Sequence, residues 1–188
     1  MAYRLSPVTR ASLGNAPGVC VGCVFWQSRG GRHAAKERWA ERVEEDWGAW
    51  GTLYQAEGDR LVGFVQYGPS DQFPRGAELP AGPPSADAVL ATCAYLVDLS
   101  SPGVLQSLFL AAIGEVRDRG IKAIETFGYR YPDGATSYER VLVHRTVFPA
   151  DFLADFGFYP VRWEGDVCLA RLELGGLVLV EEKAPAKL

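Results

Sequence analysis

The chain has 188 residues, 48% of them hydrophobic and 22% charged, with a net charge of −4. That is enough apolar material for the core of one domain, and it excludes intrinsic disorder outside the tail after Val180 (residues 181–188). Lys and Arg are scattered without a basic stripe, which disfavours nucleic acid, and no apolar run approaches the ~20 residues of a membrane span. No signal-peptide pattern opens the chain, so the four cysteines are expected to be reduced, in the cytoplasm.

In chain order, Tyr3 to Thr9 is predicted as a short strand and Gly14 to Gly18 as a turn-rich loop. Cys20-Val21-Gly22-Cys23 then runs into Val24-Phe25-Trp26, which reads as a strand, and Ser28 to Arg32 is a polar, glycine-rich loop. His33 to Trp47 is predicted as a helix, because Ala35, Trp39, Val43 and Trp47 recur every four residues on one face, and Gly48 and Gly51 end it. Thr52 to Ala56 and Leu61 to Tyr67 form a hairpin around Glu57-Gly58-Asp59-Arg60. Gly68 to Pro84 is rich in proline and glycine and reads as a long irregular connection.

The next stretch organises the chain. Ala88 to Val97 is an apolar, β-forming run, Asp98 to Gly103 a loop, and the following helix carries a buried stripe at Leu105, Phe109, Ala112, Ile113 and Val116. Arg117, Arg119 and Gly120 close it, and Ile121 to Phe127 returns as a strand. Such a unit places a loop at a helix N-terminus, where backbone N–H groups and the helix dipole attract an anion. Tyr129 to Val147 is a polar, tyrosine-rich segment with a Pro132-Asp133-Gly134 turn; its middle, Tyr138 to Thr146, is open between strand and helical turn. Pro149 to Phe156 is a short helix ended by Gly157. Tyr159 to Trp163 and Val167 to Leu174 form a last hairpin, which Leu177 to Val180 extends after a Gly175-Gly176 break. No repeat or linker divides residues 1–188, so a single domain is expected.

This order of elements resembles the GNAT superfamily of acyl-CoA-dependent N-acyltransferases over residues 35–174. Val62-Gly63-Phe64-Val65 is similar to that family's third strand, and Leu96 to Leu110 to its fourth strand, pyrophosphate loop and following helix. Phe152 to Phe158 is similar to its late helix ending in Gly-Phe. Cys20-x-x-Cys23-x-Phe25-Trp26 and Phe73-Pro74-Arg75 resemble a divergent, actinobacterial-type subgroup. The resemblance implies an α/β fold with a mixed, mostly antiparallel central sheet of six to seven strands flanked by helices. Its third and fourth strands would be antiparallel, and its fourth and fifth would splay apart to admit pantetheine. It further implies acetyl-CoA or another acyl-CoA as cofactor, held by Leu96, Val97, Ser101, Gly103, Val104, Leu105, Gln106 and Ser107. A small-molecule or protein amine would be the acceptor, with a homodimer left open.

Two positions depart from that family. In its loop, Gln/Arg-x-x-Gly-x-Gly/Ala, the glycines let backbone N–H groups reach the CoA pyrophosphate. A one-residue shift would bring Gly103 to the first glycine position and leave Leu105 at the second; with Leu96-Val97 laid on the strand end, Ser101 stands at the Gln/Arg position and Val104 and Gln106 at the two glycines. Their side chains are expected to crowd the pyrophosphate and weaken CoA binding beyond ~100 μM. A tyrosine that protonates the departing thiolate in many members is replaced by Leu153, leaving Tyr129 or Tyr138 as candidates.

Other constellations weigh less. Cys20 and Cys23 lack two further ligands in a paired spacing and have no helix N-terminus beside them, so structural cysteines are expected rather than a zinc or redox site. His33 and His144 stand near no nucleophile elbow. Glu125, on a central strand, is a candidate general base, although the balance favours a solvated carboxylate on the open face. The expected function is therefore GNAT-like acyl transfer to an amine. The rival is a catalytically inactive GNAT-like module that binds a ligand or a partner.

Overall fold

The computed structural model describes residues 3–28, 36–97, 102–131 and 146–176. The elements are β1 (Tyr3–Pro7), α1 (Gly18–Val21), α2 (Lys36–Asp46), β2 (Gly51–Ala56), β3 (Arg60–Pro69), β4 (Ala88–Leu96) and α3 (Pro102–Asp118). They are followed by β5 (Ala123–Tyr129), β6 (Phe148–Pro149), α4 (Ala150–Asp155), β7 (Tyr159–Glu164) and β8 (Val167–Glu173). The strands form one eight-stranded sheet in the order β1-β2-β3-β4-β5-β8-β7, with the two-residue β6 beside β5. Only β4–β5 and β5–β6 are parallel. This is the mixed, mostly antiparallel α/β sheet expected, with β6 as an added short strand.

Two cores cover the two sheet faces. Helix α3 lays Val104, Leu105, Leu108, Phe109, Ala112, Ile113 and Val116 on one face, with α4 supplying Phe152 and Leu153. The close seat of α3 explains Gly63: a Cβ there would meet Leu108 at 2.9 Å and Val104 and Leu96 at 3.1 Å. Helix α2 covers the other face with Trp39, Ala40 and Val43, joined by Trp26, Trp50, Phe64, Phe73 and Phe127. Arg119 bridges the ends of both helices by donating to the carbonyls of Trp47 and Ala49.

Two expectations are corrected near the N-terminus. Cys20 lies on the short helix α1, and 24–28 is a turn rather than a strand, with Gln27 N–H and Ser28 N–H both donating to the Val24 carbonyl. The tryptophan explains this: Trp26, only 2% exposed, folds under to stack on Phe127. The expectations for Ser101, His33, Tyr138, His144, most of the 129–147 segment, Leu177 to Val180 and the tail fall outside the described residues.

Candidate active site

The central strands part where the resemblance implies they should. β4 and β5 pair only at Ala88–Ala123, Val89–Ile124 and Leu90–Glu125. Beyond that point β4 stays with β3 as far as Leu96. β5 instead acquires β6 at Gly128 and Tyr129. Thr126 and Phe127 thus face a gap between two ladders. Thr126 is 1% exposed and its hydroxyl has no hydrogen-bond partner among the described residues.

The β4 wall of the gap carries a bulge. Gln66 pairs with Cys93 and its successor Tyr67 with Ala91, so Thr92 is an extra residue on β4. A bulge leaves the extra residue's backbone out of the ladder and re-aims the strand beyond it. The Thr92 hydroxyl takes over part of the lost pairing: it accepts from Gln66 Nε2 at 2.7 Å and donates to the Gln66 carbonyl at 3.3 Å. The gap therefore has, on one side, backbone that no described strand covers.

The residues implied to hold the cofactor divide into two sets. Leu96, Val104 and Leu105 are core side chains, 4%, 4% and 0% exposed, while Val97 is 51% exposed beyond the strand end. Gly103 and Gln106 are exposed and Ser107 half-buried, its hydroxyl donating to the Gly103 carbonyl at 2.8 Å. Val104 points at β3 beside Gly63. The expectation that its side chain crowds an anion at the helix start is corrected: α3 must meet the sheet closely there, and Val104 fills that contact.

A lid closes the gap on the α2 side. The turn carrying Phe25 and Trp26 is held by Arg75, whose Nε and backbone N–H donate to the carbonyls of Phe25 and Trp26 and whose guanidinium lies 4.3 Å over the Phe25 ring. The two stretches that resemble one subgroup, Cys20 to Trp26 and Phe73 to Arg75, interlock here. Trp26 in turn stacks on Phe127 with ring centroids 5.9 Å apart.

Beneath the lid lies a group that sequence reasoning missed. Lys36, the first residue of α2, is 6% exposed. Its Nζ donates to Gln66 Oε1 at 2.6 Å, and Gln27 Nε2 donates to the same oxygen at 3.1 Å. Among the described residues no carboxylate is paired with Lys36. The ammonium sits 4.3 Å and 5.0 Å from the ring centroids of Trp39 and Trp50. Such faces contribute about 2 kcal/mol when desolvated, against several kcal/mol for burying an ion. Burial accordingly pulls the Lys36 pKa down to about 8 and pushes the neighbouring Cys93 thiol up to about 11. The signal was available: Lys36 stands in register with Ala40, Val43 and Trp47 on the buried face, and Gln66 interrupts an apolar strand.

Glu125 is the second correction. It is 0% exposed, not solvated. Its carboxylate accepts from Ser85 N–H and Ser85 Oγ, both at 2.7 Å, and from Arg171 Nη1 at 3.0 Å. Arg171 also binds Asp87 and Glu173 at 2.9 Å and 2.6 Å, and its guanidinium holds both of those carboxyls below their ordinary range. Tyr129 ends β5, half-buried, its ring 4.8 Å from that of Tyr131. Leu153 is 1% exposed and packs toward Gly128. Cys23 is a free thiol, and among the described residues no cluster of His, Cys, Asp or Glu is arranged to hold a metal. No described helix is long and apolar enough to cross a membrane.

No family model matches the sequence, and no curated protein does either. Solved structures do. An N-acetyltransferase from Staphylococcus aureus matches with a TM-score of 0.54 at 10% identity, covering 93% of this chain and 99% of its own. The PaiA N-acetyltransferase of Thermoplasma acidophilum, solved with coenzyme A, matches at 0.53 and 14%, covering 92% and 99%. The ribosomal-protein-S18-alanine N-acetyltransferase of Escherichia coli matches at 0.52 and 11%, covering 97% and 99%. The chain therefore has the GNAT N-acetyltransferase fold.

Proposed function

We propose that the protein is an acyl-CoA-dependent N-acyltransferase. The observation that carries this reading is the parting of β4 from β5 after Leu90–Glu125, with the Thr92 bulge on one wall. The pantetheine arm of the cofactor enters that gap between the β4 wall and Thr126–Phe127. The diphosphate end lies outside it, toward Val97, Gly103, Gln106 and Ser107. Coenzyme A in the similarly folded PaiA structure supports the assignment.

The acceptor attacks as a neutral amine. Its nitrogen bonds to the thioester carbon, the carbonyl oxygen gains charge, and uncovered backbone N–H groups at the bulge stabilise it. The C–S bond then breaks, the nitrogen gives up one proton to solvent to become the neutral amide, and the thiolate leaves and takes up a proton, with Tyr129 the described candidate to supply it. Glu125, with Ser85 and Arg171 already on its carboxylate, holds β5 to β8 and to the chain before β4.

Titration calorimetry with CoA and acetyl-CoA, followed by thiol release across an amine panel, tests this. Failure of both ligands to bind overturns it. A second reading, a ligand-binding module without catalysis, is favoured by one observation: Leu153 has no proton to give. Binding of acetyl-CoA with no thiol release from any amine would select it.

A further inference from the structure

We propose that the buried polar cluster of Lys36, Gln27 and Gln66, under the turn that carries Trp26 and Gln27, is the receiving point for a carboxylate, so that the acceptor is an amine bearing a carboxylate close by, as an amino acid does. This rests on the acyltransferase reading for the amine, but the carboxylate site is argued on its own.

The cluster has more donors than acceptors. Gln66 Oε1 has two lone pairs and already accepts from Lys36 and Gln27. Lys36 brings three N–H groups and Gln27 two, so further donors remain. The indole N–H groups of Trp26 and Trp50 are buried and have no hydrogen-bond partner among the described residues. Trp50 borders the ammonium directly, and Trp26 adjoins Gln27. Water would satisfy neutral donors of this kind but would leave the charge unbalanced. One univalent, planar anion supplies four lone-pair sites and one negative charge, which is what the cluster lacks. A dianionic phosphate would meet a single cation.

Its position fits a substrate rather than an isolated ion. Gln66 joins Lys36 on one side to Thr92 on the other, so the anion point and the bulge are linked through one amide side chain. Trp26, stacked on Phe127, places an apolar wall across the gap from the bulge, where the rest of an acceptor would lie.

The site has a pH signature. The titratable groups facing Lys36 are Cys93 on β4, Cys20 on α1 and Cys23 in the turn after it, with no described carboxylate. Below about pH 8 Lys36 is charged and ready for an anion. Above that, binding must take up a proton, and affinity falls by up to about tenfold per pH unit.

The probes are N-acetylglycine, N-acetyl-L-leucine and N-acetyl-L-phenylalanine, each against its primary amide, titrated calorimetrically at pH 7 into the full chain. At least one acid is expected to bind tenfold or more tightly than its amide. Lys36→Met should lose at least tenfold of that binding, and Trp26→Phe, which keeps the ring and removes the N–H, severalfold. At pH 8.5, heats in buffers of different ionisation enthalpy should report proton uptake. Melting curves establish that the variants are folded; were Lys36→Met unfolded, Trp26→Phe and the proton uptake decide alone. Equal binding of acids and amides, no binding by any acid, or full retention in a folded Lys36→Met overturns the proposal. A separate CoA titration fails or succeeds independently, so the two readings fall separately.

Discussion

Two buried cations share one face of the sheet and are treated in opposite ways. Arg171 on β8 meets three carboxylates, Glu125, Asp87 and Glu173, at 3.0, 2.9 and 2.6 Å. Lys36 on α2 meets a neutral amide and two indole faces. In the first cluster the cation is fully compensated, and it joins β5, β8 and the segment entering β4. It sits where β4 and β5 are still paired. The second is open, and it sits beside the bulge where they have parted. A buried charge without a partner is costly, and such unbalanced groups concentrate where a ligand completes them.

Removing each cation should break the comparison most sharply. Arg171→Met leaves Glu125 buried without a counter-charge, held only by the two Ser85 hydrogen bonds, and should destabilise by about 3–5 kcal/mol, read from urea unfolding. A loss below ~1 kcal/mol would mean that the network holds nothing.

Lys36→Met should have the opposite sign at pH 7, stabilising by about 1–3 kcal/mol, since it removes an uncompensated buried charge. Lys36 has its folded pKa depressed to about 8 from 10.5. The penalty is therefore complete below pH 8 and disappears as pH rises toward 10.5, so the variant and the natural chain should converge there. Cys93, raised to about 11 from 9.0 by burial, works the other way, losing its contribution as pH climbs from 9 to 11. Lys36 itself acts to lower the Cys93 pKa, so the convergence of the two proteins is read between pH 8 and 9, before the thiol titrates. A difference that does not change with pH would show that Lys36 carries no unpaired charge.

The helix start sharpens the same contrast between packing and binding. Val104→Ala should cost about 1–2 kcal/mol, because the side chain fills the contact at Gly63. CoA affinity should stay within twofold by calorimetry. A large gain in affinity would restore the idea that this side chain crowds the diphosphate.

The smallest expected change is at the lid. Arg75→Ala removes one charge-assisted hydrogen bond and one cation–π contact at the surface, a loss of about 1 kcal/mol. Global melting should hardly move, whereas deuterium uptake at residues 24–28 should rise severalfold. Unchanged uptake would mean that the Trp26–Phe127 stack alone seats the lid.

The sequence by itself determined the sheet-forming runs, the two helices and the order of elements, because 3.6- and 2-residue periodicities are local properties of burial. It also marked Gly63 within an apolar strand, and it marked the 20–26 and 73–75 stretches. Only the tertiary structure decided what these do. Gly63 makes room for α3, and the two stretches interlock across fifty residues of chain. Glu125 reads as a solvated carboxylate from its neighbours in sequence, yet Arg171 and Ser85 reach it from two other parts of the chain. Val104 stands where a phosphate glycine is expected, but the helix rotates it into the core. Lys36 looks like one more charge on an amphipathic helix; its want of a partner is a fact about three dimensions, since a counter-charge can come from anywhere in the fold. Periodicity tells which side chains are buried. Which charges are left unbalanced depends on contacts between residues far apart in the chain, and local pattern does not encode those.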